Sequence, residues 1–302
     1  MLVVENLRVS YPARDGGRIE AVRGVSFTLG RERLGLVGES GSGKSQTGRA
    51  ILGLSAPGAI VSADTLRFGE VDLLRCSPAE RRRLRGGQIA MVLQDPKYSL
   101  NPVMRIGAQI VETLRAHRKL GAAEARRRML QALVDVGIDG PERVAGLYPH
   151  EVSGGMGQRV MIAMMLIAEP QLLIADEPTS ALDVTVQLQV LAVMDRLVRR
   201  QGPLDHRDAA VIPQGERESS GRPGASAGGM GLIFISHDLR LVASFCDRIL
   251  VMYAGKVVET LDAQRLHEAQ HPYTQGLLNC LPQLDRPRHP LPTLQREAAW
   301  TL

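Results

Sequence analysis

Two short stretches carry residue types that do chemistry together. Gly38-Glu39-Ser40-Gly41-Ser42-Gly43-Lys44-Ser45 fits the spacing G-x-x-x-x-G-K-S/T. Small residues let successive backbone N–H groups turn inward around a phosphate. A helix opening at the end of the loop adds its positive end. In that arrangement Lys44 reaches the β- and γ-phosphate oxygens and the Ser45 hydroxyl ligates Mg²⁺. The second stretch, Leu172-Leu173-Ile174-Ala175-Asp176-Glu177, is an apolar run closed by two acids. A buried strand of this kind sets its acids at the carboxyl edge of a sheet, beside the loop. Asp176 is then placed to hold Mg²⁺, through water, and Glu177 to polarise an attacking water. An acid-terminated strand alone is weak evidence. Together the two stretches point to a phosphate-loop NTPase, and they leave kinase, GTPase, helicase and transport motor open.

The elements that must position these residues follow from periodicity. Met1 to Val9 and Val25 to Leu29 alternate like strands of an antiparallel sheet. Leu34 to Val37, Gln88 to Leu93, Gln171 to Ala175, Leu232 to Ile235 and Ile249 to Met252 read as buried strands. Gln46 to Leu52 opens a helix behind the phosphate loop. Arg105 to Ala168 is helical, broken at Gly121, at Gly137 to Pro141 and at Pro149. Val186 to Arg200 is amphipathic, with Val186, Val190, Val193, Met194, Leu197 and Val198 on one face. Strands alternating with helices predict an α/β fold with a mostly parallel sheet. Gln201 to Met230 is rich in Gly, Pro, Ser and charge. It reads as a disordered surface insertion. The tail from Pro282, with Pro287, Pro290 and Pro292, is expected to run extended over the surface.

Composition excludes several classes. The 302 residues are 44% hydrophobic and 23% charged, which rules out a wholly disordered or collagen-like chain. The longest clean apolar stretch, Val160 to Ala168, is half the ~18 residues needed to span a bilayer. Glu5 and Arg8 interrupt the N-terminus before any signal-peptide core forms, so a cytosolic location is expected. Cys76, Cys246 and Cys280 are too scattered for a disulfide framework or zinc knuckle and read as reduced thiols. The net charge of +5 is carried mostly by arginine, the lysines being Lys44, Lys97, Lys119 and Lys256. Arg81-Arg82-Arg83 and Arg126-Arg127-Arg128 sit among helix formers without aromatics, which favours solvated helix faces and no nucleic-acid partner.

Val152-Ser153-Gly154-Gly155-Met156-Gly157-Gln158-Arg159, ahead of the Asp-Glu strand, resembles the signature motif of ATP-binding cassette (ABC) proteins. Ser-Gly-Gly at a helix start is a second anion site, and one domain has no need of two γ-phosphate cradles. The resemblance implies that two such domains pair head-to-tail, each signature capping the nucleotide held by the other. The rest of the family's set is present in order. Gln94 resembles the Q-loop glutamine, which senses Mg²⁺ and the γ-phosphate and faces the membrane partner. Ser180-Ala181-Leu182-Asp183 resembles the D-loop at the seam. His237, in Ile-Ser-His-Asp, resembles the switch histidine. Tyr11 sits where the family places an adenine-stacking aromatic.

The resemblance implies ATP and Mg²⁺ as cofactors, with Glu177, His237, Lys44 and Gln94 catalytic. Nucleotide would be bound by Tyr11, by Gly38, Glu39, Ser40, Gly41, Ser42, Gly43, Lys44, Ser45 and Gln46, and by Ser153, Gly154, Gly155, Met156 and Asp183. The metal would be held by Ser45, Gln94 and Asp176. The fold implied is a phosphate-loop NTPase core with an N-terminal antiparallel β subdomain and an inserted helical subdomain. The nucleotide-binding domain would span 1–260, its helical subdomain about 95–168 and its disordered insertion about 201–230. A short C-terminal extension would cover 261–302.

Gln94-Asp95-Pro96-Lys97-Tyr98-Ser99-Leu100-Asn101-Pro102, Leu147-Tyr148-Pro149-His150-Glu151 and His271-Pro272-Tyr273-Thr274 narrow the resemblance to motor subunits of oligopeptide, dipeptide and nickel importers. Such a motor works with a second ATPase subunit, a copy of itself or a paralogue. It also works with two integral-membrane permease subunits and, indirectly, an extracytoplasmic binding protein. Its place is peripheral, on the cytoplasmic face of the membrane. Three departures stand out: Gly157, where the subfamily has Arg, Lys or Gln; the insertion at 201–230; and a tail without the cysteine cluster of an iron–sulfur centre. Two rivals remain: a soluble ABC ATPase acting on DNA or ribosomes, and an inactive regulatory cassette. The single phosphate loop and the lack of a sustained heptad oppose the first. Intact Lys44, Asp176, Glu177 and His237 oppose the second.

Overall fold

The structure is a computed structural model that describes residues 1–95, 99–180, 182–199, 229–280 and 300. Strands β1 (Leu2–Pro12) and β2 (Arg18–Leu29) pair antiparallel, from Leu2 opposite Leu29 to Pro12 opposite Arg18. Leu2, Val4, Leu7 and Val9 are all buried although the spacing shifts between Val4 and Leu7. A register irregularity there, with Asn6 at φ 51°, inserts the extra residue that returns Leu7 to the inner face. The strands run past the apolar alternation as far as Pro12 and Arg18, because the backbone ladder continues where side chains are partly or fully exposed.

Next come β3 (Arg33–Val37) and α1 (Lys44–Leu52). The short strands β4 (Ile60–Ser62), β5 (Thr65–Phe68) and β6 (Val71–Asp72) join β1 and β2 in a five-stranded antiparallel sheet. Helix α2 (Pro78–Leu84) begins on a capping box between Ser77 and Glu80. Between β7 (Ile89–Val92) and β8 (Leu172–Asp176) the chain inserts α3 (Ile106–His117), α4 (Ala122–Asp135), α5 (Pro141–Ala145) and α6 (Gly154–Leu166). These follow the breaks expected at Gly121, Gly137 to Pro141 and Pro149. Helix α6 runs unbroken through Gly157.

After α7 (Val184–Arg199) come β9 (Gly231–Ser236), α8 (Leu239–Phe245), β10 (Arg248–Tyr253), β11 (Lys256–Asp262) and α9 (Pro272–Cys280). The second sheet has the order β11-β10-β3-β9-β8-β7, parallel throughout except for β11. The fold is thus α/β, with a mostly parallel sheet and a separate antiparallel one.

The parallel sheet separates two cores, and its strands divide their residues between them with period two. Leu34, Leu36, Leu172, Ile174, Ile233, Ile235, Leu250 and Met252 face α1 and the antiparallel sheet. Leu173, Ala175, Leu232, Phe234, Ile249 and Val251 face the helices on the other side. Burial on both faces is why these strands read as unbroken apolar runs.

The expected insertion lies outside the described residues except for Gly229 and Met230. The Met230 N–H donates to Val198 C=O at 3.2 Å, so the end of α7 and the start of β9 meet. The tail from Pro282 also lies outside them, except for Trp300. That residue does not lie over the surface. It is 9% exposed and packs edge-on against Tyr253 and Tyr273, because burying an indole outweighs keeping it solvated. All three cysteines are free.

Candidate active site

Four neighbouring parallel strands end at one edge. Val37 of β3 stands opposite Ser236 of β9, Asp176 of β8 opposite Ile235 of β9, and Val92 of β7 opposite Ala175 of β8. The residues that follow these ends therefore converge: the 38–45 loop, His237, Glu177 and Gln94. This is the crevice at the carboxyl ends of the strands where α/β folds bind ligands.

The loop is shaped to leave amides free. Gly43 caps α1 at φ 98°, and a Cβ there would stand 2.4 Å from Ala21 C=O, so only glycine fits. No side chain caps α1 and no acid sits in its first turn, whereas Ser77 caps α2 and Asp238 caps α8. The first-turn N–H groups of α1 are thus left for an anion. Lys44 is buried, with Nζ donating to Gly38 C=O (2.7 Å), Glu39 C=O (2.9 Å) and Ser42 Oγ (3.3 Å). Burial holds its pKa below the usual lysine range, against the pull of Glu177, Asp176 and Glu39.

Ser45 Oγ donates to Asp176 Oδ1 at 2.7 Å. Burial pushes the Asp176 carboxyl above the usual range, opposed chiefly by that hydrogen bond. Two oxygen donors side by side, one a buried carboxyl, fit a small hard cation, which would restore the charge that burial resists. Glu177 sits beyond the strand end at φ 48°, with its N–H donating to Ile235 C=O at 2.9 Å. Its carboxylate is held on both sides. Gln94 Nε2 donates to Oε2 at 3.1 Å, and His237 Nδ1 lies 3.3 Å from Oε1. A left-handed backbone at a non-glycine residue is unfavourable, and here it aims a side chain into the crevice. Tyr11, near the end of β1, donates its hydroxyl to Gln46 Oε1 and so stands beside the first turn of α1.

The signature residues lie elsewhere. Ser153 caps α6 by accepting from Met156 N–H at 3.3 Å, and Asp183 Oδ1 accepts from Val186 N–H at 3.0 Å. A Cβ on Gly155 would approach Val186 Cγ1 to 2.7 Å, so the starts of α6 and α7 abut. Ser153, Gly154, Gly157 and Gln158 line a cleft of about 660 Å³ with Leu100, His150 and Leu182. Pro96, Lys97, Tyr98 and Ala181 fall outside the described residues.

The family model described as ABC transporter matches residues 22–180. The chain belongs to the ABC transporter family. It is 43% identical over 288 residues to the dipeptide transport ATP-binding protein DppD of Bacillus subtilis (strain 168), covering 94% of this chain and 78% of that one. It is also 43% identical to the oligopeptide transport ATP-binding protein OppD of the same organism, covering 94% and 73%. Among solved structures, the dimeric ATP-binding cassette MJ0796 bound to ADP and phosphate superposes with a TM-score of 0.69. It is 23% identical and covers 87% of this chain and 99% of that chain, a likeness that shows the fold. As an ABC cassette the chain binds ATP, and its activity is ATP hydrolysis that drives transport. Among the described residues no helix is long and apolar enough to cross a membrane.

Two contacts of this cassette had no sequence signal of their own. Gln158, buried in α6, donates from Nε2 to Pro178 C=O at 2.6 Å, tying the signature helix to the turn just after Glu177. Tyr273 Oη accepts from the Glu39 N–H at 3.0 Å. In both, one partner is a backbone group, which has no residue type to recognise.

Proposed function

We propose that this chain is the ATP-hydrolysing motor of an importer for peptides, paired head-to-tail with a second ATP-binding subunit. The pair would sit on the cytoplasmic face of the membrane under two permease subunits, supplied by an extracytoplasmic binding protein. The observation that carries this reading is the gathering of Lys44, Ser45, Asp176, Glu177, Gln94 and His237 at one sheet edge while Ser153 caps a separate helix. Peptide cargo is supported by the names of the relatives, and a nickel or metal-chelate cargo is the alternative within the same subfamily. Those names, matched over 94% of the chain, disfavour a soluble ATPase acting on DNA or ribosomes.

The triphosphate lies against the loop amides and the start of α1. Lys44 keeps its bond to Gly38 C=O and turns its other N–H groups from Glu39 C=O and Ser42 Oγ to β- and γ-phosphate oxygens, and Tyr11 stacks on the adenine. Ser45, Asp176 and Gln94 would hold Mg²⁺, whose charge would offset that of the β- and γ-phosphates. Glu177 accepts the proton of the water that attacks the γ-phosphorus, as the bond to the β-phosphate oxygen breaks. Gln94 and His237 fix the carboxylate for that step. Ser153 to Met156 and Asp183 complete the nucleotide site of the partner. The domain bounds 1–260 and 261–302 belong to the same proposal.

Glu177→Gln keeps the shape and removes the base. In the subunit assembled with its permease, ATP binding should persist while turnover falls by about 10² or more. Peptide-loaded binding protein should stimulate the wild-type assembly. Near wild-type hydrolysis by the Gln variant would refute the role of Glu177. Stimulation by DNA or ribosomes, without copurification of a polytopic membrane protein, would refute the transport reading.

A further inference from the structure

We infer that Tyr273 is a positioning residue of the phosphate loop, through which the C-terminal extension acts on nucleotide binding. Its hydroxyl accepts from the N–H of Glu39 at 3.0 Å. That N–H belongs to the peptide unit joining Gly38 to Glu39. The other end of the same unit, Gly38 C=O, accepts from Lys44 Nζ at 2.7 Å. One rigid plane is therefore held between a tyrosine hydroxyl and the lysine that meets phosphate. Hydrogen bonds in series through a peptide group strengthen one another. Position 38 cannot carry a side chain to fix the unit, since a Cβ there would stand 2.1 Å from Met252 C=O.

Tyr273 is itself fixed from several directions. It is fully buried at the start of α9. Glu259 Oε1 accepts from the N–H groups of Gln270 (2.6 Å) and His271 (3.2 Å), and His271 Nδ1 accepts from Tyr273 N–H at 3.1 Å. The ring lies 4.6 Å from that of Tyr253 and 5.8 Å from Trp300, centroid to centroid. Tyr253 directly follows Met252, whose carbonyl confronts Gly38, so the end of β10 supports both the loop and the aromatic cluster. Trp300 closes that cluster, bringing the far end of the extension within one ring of the loop's tether.

This inference rests on the proposed contact of Lys44 with phosphate, and the test separates the two. The full chain is compared with its Tyr273→Phe, Trp300→Ala and Lys44→Ala variants. The readouts are binding of a fluorescent ATP analogue with Mg²⁺, steady-state ATPase, thermal midpoint and hydrogen exchange at the Glu39 amide. Tyr273→Phe should raise both the Kd and the KM for ATP about five-fold, the effect of one lost hydrogen bond. Its kcat should change by less than about two-fold, since the loss falls on binding. The Glu39 amide should exchange about ten-fold faster, with the thermal midpoint held within about 2 °C. Trp300→Ala should shift Kd and exchange in the same direction by less.

Unchanged Kd and unchanged Glu39 exchange in Tyr273→Phe, with Lys44→Ala binding lost, would overturn the role of Tyr273 alone. Full binding by Lys44→Ala would overturn the phosphate reading on which it stands. Should Tyr273→Phe not fold, the wild-type Glu39 amide decides. Protection that falls in Trp300→Ala supports the tether, and rapid exchange in the wild type overturns it.

Discussion

Ser45 and Asp176 are 131 residues apart in sequence, and their side-chain oxygens meet at 2.7 Å. The contact joins the first turn of α1 to the last residue of β8. It is also where the protein holds a carboxyl that burial makes reluctant to ionise.

Asp176→Asn tests that reluctance. The folded-state pKa of Asp176 is raised, so its favourable contribution is complete below the unfolded value near 3.8 and is lost as pH rises through the folded value. At neutral pH the charged form therefore costs the nucleotide-free protein stability. Asparagine keeps an acceptor for Ser45 and removes the charge. Without nucleotide and in EDTA, the thermal midpoint of the variant should equal or exceed that of the wild type, by up to about 2 °C, as about 1 kcal/mol would give. Stabilisation by ATP plus Mg²⁺ should be lost. A lower midpoint in EDTA would mean that the ionised carboxyl is a net structural asset.

Ser153→Arg tests the pairing. Ser153 caps α6, whereas Lys44, Ser45 and Tyr11 cluster at the start of α1. Equilibrium binding of an ATP analogue to dilute monomer should change by less than about two-fold, because the hydrogen bond of Ser153 lies within the start of α6 and not on the 38–45 loop. Pairing in ATP and Mg²⁺ should collapse in the Glu177→Gln background, measured by sizing with the second subunit present, and turnover should collapse when Ser153→Arg is made in the otherwise wild-type chain. A loss of monomer binding as large as that of Lys44→Ala would place Ser153 in its own chain's pocket. Unimpaired pairing and turnover would make Ser153-Gly154-Gly155 a turn only.

Replacing residues 203–228 with a short Gly-Ser linker tests the insertion. Val198 C=O and Met230 N–H are already bonded, so the flanking elements meet without those residues. Loop-closure entropy changes slowly with length. The thermal midpoint should stay within about 2 °C and basal ATPase within about two-fold. A lost transition would mean that the segment supports the core.

The sequence made the local parts of this molecule legible and left the long-range ones hidden. The phosphate loop, the Asp176-Glu177 strand end and the buried strands each announce themselves within a few residues. Parallel strands buried on both faces leave unbroken apolar runs, and a helix start without a side-chain cap leaves its glycines. β4, β6 and β11 were harder to see, being short or half-exposed strands without an apolar run. Trp300 looked like part of an extended tail because its partners, Tyr253 and Tyr273, lie in other elements. The grip of Gln94 and His237 on Glu177 follows from strand order, which periodicity does not encode.

The buried bond from Gln158 to the Pro178 carbonyl makes the helical insert and the strand end that carries Glu177 a geared pair. Gln158 rides on α6, and Pro178 follows Glu177 directly. A tilt of α6 therefore either turns the backbone that aims Glu177 or strips a buried amide of its acceptor. If Glu177 is the base, as proposed, movement of α6 would set the timing of bond cleavage mechanically, with the 38–45 loop left in place.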